Sequence, residues 1–173
     1  GRNNNPKADV VVFITDCKHT YASYTTGSDG CFSLSVDYDE LDGNYHLLFS
    51  GNNNRGAVRE LKGRGVEQYD YQNVIIDELP GVSSTPLRNY YIPAEFGPMT
   101  WREAKECCEK LVYAGHDDWE LCCYNEWIRP SMYQECYWTD SRCDEGHECY
   151  GLKGGCFNDN ELHYFIPQRL VHL

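Results

Sequence analysis

Long hydrophobic runs are missing from this chain. The longest apolar stretch, VVVFI at residues 10–14, suits a strand and falls far short of the ~20 residues that cross a bilayer, so no membrane insertion is expected. Positive charge is scarce as well: 15 Lys and Arg stand against 27 Asp and Glu, giving a net charge of −12 and a pI near 4.8. The basic residues are scattered, and such a surface repels a phosphate backbone, so no nucleic-acid partner is expected. A tight Cys-x2-4-Cys knuckle, the usual mark of structural zinc, is absent among the later cysteines. The opening GRNNNPKAD reads as a vector-derived start and leaves a secretion signal open.

Cysteine itself is abundant. Ten cysteines occur in 173 residues, eight of them between Cys107 and Cys156. An even count at this density points to disulfides and an oxidising setting, with thiols or metal ligands inside a cell as the alternative. The doublets Cys107-Cys108 and Cys122-Cys123 cannot readily bond internally, because adjacent side chains point in different directions. A hydrophobic content of 41% is enough for a packed core in one large domain or two small ones.

Residues 8–79 read as short strands, ADVVVFITD, TYASYTTG, CFSLSVD, NYHLLFSG, RELKG and YQNVIIDEL, separated by Gly, Asn and Asp. This spacing predicts a small antiparallel sandwich. In CFSLSV, alternation places Phe32, Leu34 and Val36 on a core face and Cys31, Ser33 and Ser35 opposite. LPGVSSTPL, rich in Pro, Gly and Ser, suits a linker. The expected organisation is therefore a β-sandwich spacer over 1–80, a linker over 81–87 and a second domain over 88–173.

TYASYTTGSDGCFSLSVDYDELDGNYHLLFSGNN resembles the transthyretin-like or carboxypeptidase-regulatory-like sandwich. That resemblance implies a spacer or display module. Cys17 and Cys31 flank its hairpin arm and could staple it, or each could be a small separate hydrophobe.

MTWREAKECCEKLVYAG predicts a helix. Thr100 and Glu103 form a capping-box pair and Gly115 offers a stop. At 100° per residue, Trp101, Ala104, Cys108, Leu111 and Val112 share one face, and Arg102, Glu103, Glu106, Glu109 and Lys110 lie away from it. Cys108 is thus expected in the core and Cys107 at its edge.

That helix, followed by DWELCCYNEW, YWT and a terminal RLV strand, resembles a C-type-lectin fold of the formylglycine-generating-enzyme type. The group includes domains of bacterial adhesins and the variable proteins of diversity-generating retroelements. The resemblance implies an N-terminal all-β sandwich followed by an α+β C-type-lectin-like domain, with Trp101, Trp119, Trp127 and Trp138 holding the frame. The family's DWRLPT is altered: Glu120 stands for its Arg and Cys122-Cys123 for its Pro-Thr. A cysteine cap should cost the helix expected from Tyr124 about 1 kcal/mol, and Pro130 keeps that helix short.

Four chemistries compete for SRCDEGHECYGLKGGCF, residues 141–157. Zinc would use Cys136, Cys143, Cys149, Cys156 and His147, but the spacing fits no knuckle, so no metal site is expected. Calcium-dependent sugar binding would draw on FND, with Asn158, Asp159 and Glu161 as oxygen ligands, yet the companion EPN or QPD loop is missing. Cysteine-dependent oxidation of the formylglycine-generating type would need a constellation that His116, His147 and His163 do not evidently form. Recognition remains: the resembling family builds its binding face between the YWT strand and the last strand, and loops on a rigid scaffold carry binding residues.

Variable proteins of retroelements diversify at Asn-derived codons that cannot yield Glu, Lys, Gln, Met or Trp. Three of the 17 residues fall outside the accessible set, against 30 of 173 in the chain, so composition shows no enrichment. The expected role is a non-enzymatic ligand-recognition module without a cofactor, binding a protein or glycan on a cell surface. The expected location is extracellular, on a cell surface or on a virion. The expected contacts are Tyr133, Tyr137, Ser141, Arg142, Asp144, His147, Tyr150, Leu152 and Phe157.

Overall fold

The computed structural model describes residues 5–41, 44–61, 68–84, 86–121 and 136–172. The chain divides into two compact units: Gly1–Glu78 with Tyr113–Gly115, and Leu79–Val112 with His116–Leu173.

The first unit carries β1 (Val11–Thr15), β2 (Thr20–Thr25), β3 (His46–Ser50), β4 (Arg55–Arg59) and β5 (Asp77–Glu78) in one antiparallel sheet ordered β2-β1-β3-β4-β5. Register follows the apolar pattern. Val12 pairs with Phe49 and Ile14 with Leu47, so these four share a face, and Phe49 brings Ala57 of β4 onto it. All five are buried together with Val10. Phe32, Leu34, Val36, Tyr71, Val74 and Ile76 pack on that cluster from segments outside the ladder. The sandwich character thus holds in coarse form, as a sheet whose face is covered by extended chain.

CFSLSVD keeps its expected alternation, with Phe32, Leu34 and Val36 half-buried and their neighbours exposed, but it forms no strand. Cys31 is exposed and unbridged, so the Cys17–Cys31 staple is not made. Strand β4 starts earlier than RELKG, at Arg55, and Gly56 pairs opposite Ser50, where a Cβ would sit 2.3 Å from the Tyr113 hydroxyl.

The second unit contains β6 (Gly81–Ser84), β7 (Leu87–Tyr91), β8 (Phe96–Met99), α1 (Trp101–Lys110), β9 (Tyr137–Cys143), β10 (Gly146–Tyr150), β11 (Gly155–Asn158), β12 (His163–Phe165) and β13 (Gln168–His172). These strands form sheets ordered β11-β10-β9-β12-β8 and β13-β7-β6. Within the stretch expected as a linker, β6 (Gly81–Ser84) pairs antiparallel with β7. Gly81 permits the pairing, since a Cβ there would meet the Asn89 carbonyl at 2.8 Å. Buried Asn89 donates through Nδ2 to Oε1 of buried Gln168 at 2.7 Å, linking β7 to β13 from within.

An α+β C-type-lectin domain is not evident. Among the described residues the second unit has one ten-residue helix, and the rest of its regular structure is strand. The helix expected from Tyr124, with Trp127, Pro130 and Tyr133, lies outside the described residues. The chief physical reason for the correction is that residues 141–157 join the sheet as β9, β10 and β11 where a displayed loop was expected.

Candidate functional site

The β9–β11 meander is held by three local devices. Cys143, at the end of β9, is disulfide-bonded to Cys156 on β11, across a Cα–Cα distance of 5.9 Å. Gly146 lets the strands close, because a Cβ there would fall 2.4 Å from the Phe157 carbonyl oxygen and 2.5 Å from a carboxylate oxygen of Asp159. Where the β9–β10 register slips between His147 and Cys149, the Thr139 hydroxyl donates to the Glu148 carbonyl at 2.8 Å and replaces the lost ladder bond.

Strand parity then decides which expected contacts face out. Side chains alternate between faces, and directly paired residues share one. Tyr137 pairs with Tyr150 and with Tyr164, so all three lie on one face. Tyr137 is buried, donates from its hydroxyl to a carboxylate oxygen of Glu95, and forms a core cluster with Ile166 against which Tyr150 packs. Of the residues expected at the binding face, Tyr137 is therefore core, and Tyr150 is half-buried against it.

His147 faces the other way and is also buried, so its expected display is corrected. It stacks on Trp101 of α1 with centroids 3.6 Å apart, and its Nδ1 lies 2.7 Å from Asp159 Oδ1. Phe157 is half-buried against the His163 ring at 4.5 Å. Ser141 is half-buried and donates its N–H to the Thr139 hydroxyl. Arg142, Asp144 and Leu152 are exposed, Leu152 to 79%. Tyr133 lies outside the described residues.

The helix arrives over this inner face as its sequence predicts, up to a point. Thr100 caps it, accepting from the Glu103 N–H at 3.3 Å, and Trp101, Ala104, Cys108 and Leu111 are buried. It ends at Lys110, well before Gly115, and leaves Val112 63% exposed. Burial pushes the Cys108 thiol well above its ordinary pKa, helped by the nearby Cys107, Glu120 and Glu109, so Cys108 is inert core. Beside the Trp101–His147 stack is an open cavity of about 460 Å³ lined by Arg102, Lys105, Arg142, Glu106, Glu109, Asp140 and Asp159. Its mixed charge suits a polar or zwitterionic surface better than a purely anionic ligand.

A second constellation lies deeper. Cys136, Cys149 and His163 bring one donor atom each within 4.8 Å of one another. Parallel pairing of Tyr164 with Tyr137 puts His163 level with Cys136, and Cys149 opposite Trp138 places all four on one face. The thiols of Cys136 and Cys149 share a hydrogen bond that, with burial, raises Cys149 far above its ordinary pKa. Burial lowers His163, and Glu161 partly opposes that shift.

Sequence spacing had grouped Cys136 and Cys149 with Cys143, Cys156 and His147. The disulfide removes Cys143 and Cys156, His147 is engaged by Trp101 and Asp159, and His163 stands beside Cys136 and Cys149 in its place. The calcium reading loses its donors to the turn itself: Asn158 Oδ1 accepts from the Asn160 N–H and Glu161 Oε2 from the Asn158 N–H, while Asp159 engages His147. No protein-family model, curated protein or solved structure matches the chain.

Proposed function

We propose that the chain is a ligand-recognition protein, not an enzyme, and that its second unit presents the meander of β9, β10 and β11 to a protein or glycan on a cell surface. The observation that carries this reading is the exposure of Arg142, Asp144 and Leu152 at the end and turns of a meander stapled by Cys143–Cys156. A rigid support lowers the entropy cost of binding, and exposed Arg142 and Leu152, toward opposite ends of β10, supply charge and apolar contact area at two points of the meander. The disulfide agrees with an extracellular, cell-surface or virion-surface location.

The test uses fluorescently labelled chain on immobilised glycans and on a panel of intact cells. The double variant Arg142→Ala, Leu152→Ala should keep its melting temperature and lose at least about tenfold in apparent affinity, about 1.4 kcal/mol. Wild-type chain that binds neither surface would sink the proposal. A diversified display surface further predicts that sibling copies of the gene differ at 142, 144 and 152 and agree at 137, 147 and 149.

A further inference from the structure

We infer that Cys136, Cys149 and His163 form a zinc site that fastens β9, β10 and β12 together. Three facts carry the inference. The donor atoms lie within 4.8 Å of one another on one face, and tetrahedral zinc, with Zn–S near 2.3 Å and Zn–N near 2.0 Å, requires donor separations of roughly 3.5–3.8 Å, a contraction that side-chain rotation supplies. Cys136 immediately precedes β9, Cys149 lies in β10 and His163 in β12, so one ion would tie three neighbouring segments that are distant in sequence. His163 Nε2 is buried and makes no hydrogen bond among the described residues.

A Cys136–Cys149 disulfide would leave that nitrogen without a partner, whereas an ion ligated by Nε2 gives it one. Two thiols and one imidazole are a soft, mixed donor set that suits zinc over calcium or magnesium. On binding, each thiol releases its proton to solvent and becomes a thiolate. The resulting centre of one dication, two thiolates and a neutral imidazole carries no net charge, which a buried face tolerates. The fourth tetrahedral position goes to solvent on the half-buried side of His163.

The full chain, purified with a phosphine reductant and without chelator, should hold one zinc per chain by elemental mass spectrometry. Exchange for cobalt should give tetrahedral d–d bands and a thiolate-to-cobalt charge-transfer band. His163→Gln, chosen because this residue is only half-buried, should keep the far-ultraviolet circular dichroism and weaken zinc binding by more than about tenfold. If that variant fails to fold, the cobalt spectrum of the unaltered chain still decides. A chain that takes up neither metal, a cobalt spectrum without thiolate charge transfer, or a Cys136–Cys149 disulfide found by peptide mapping would each overturn the site.

Discussion

In the first unit, Val12, Ile14, Leu47 and Phe49 face one another across β1 and β3, and half-buried Phe32, Leu34 and Val36 close over them. In the second, polar and sulfur groups make many of the decisive contacts: the Trp101–His147 stack, the His147–Asp159 pair, the Asn89–Gln168 amide pair, the Cys143–Cys156 bond and the Cys136–Cys149–His163 cluster. Apolar burial is non-directional and tolerates repacking, whereas hydrogen bonds and sulfur links demand position. The first unit should therefore degrade gradually under substitution, and the second in steps.

The largest step is expected at Trp138, which is 1% exposed and donates through Nε1 to the Met99 carbonyl at 2.9 Å. Trp138→Ala should cost about 3–5 kcal/mol in urea unfolding. Replacing Cys143 and Cys156 together by alanine should cost about 3 kcal/mol, the closure entropy of a loop with sequence separation 13. Hydrogen exchange should then accelerate in β9–β11 and stay unchanged in β1 and β3; equal acceleration in both would erase the contrast. In the first unit Phe32→Ala should cost only about 1–2 kcal/mol, because the ring is half-buried against Phe49. Thr100→Ala should cost about 1 kcal/mol through the lost cap, read as lower helicity and a lower melting temperature.

The smallest effect concerns pH. Burial, then the Arg169 guanidinium, hold His116 below its ordinary pKa of ~6.5, against the opposing pull of Asp118 and Asp117. As pH falls below ~6.5, the unfolded chain takes up a proton that the folded chain refuses until its lower pKa is reached, so acid weakens the fold across that window. Arg169→Gln should raise the His116 titration midpoint in a proton NMR series. An unchanged midpoint would remove Arg169 as a cause.

Helix α1 was legible because its signal is local: Thr100, Glu103 and the spacing of Trp101, Ala104, Cys108 and Leu111 all act within three turns. Its end was not, because Ala114 is taken by non-local bonds, its N–H to the Ser50 hydroxyl and its carbonyl accepting from the Asn54 N–H. The same distinction separates CFSLSVD from SRCDEGHECYGLKGGCF. Alternation in the first reports which side chains face the core, but a ladder also needs a partner edge, and none is used there. The second lacks sustained apolar alternation, and its strands rest on Gly146, the Thr139 bridge and the disulfide. His147 was misjudged as exposed and His163 missed as a partner of Cys136 for one reason: facing depends on register across strands.

The bond between Cys143 and Cys156 also changes what a cut to this chain means. The turn at residues 151–154 carries Leu152 and Lys153 in the open, where proteases act most readily. A trypsin cut after Lys153 would open the backbone between the two cysteines, yet the pieces would remain one covalent molecule. On a gel the nicked protein would run as a single band until reductant is added, then as two. The outer edge of the meander is thus a closed ring, able to lose a peptide bond without losing its end.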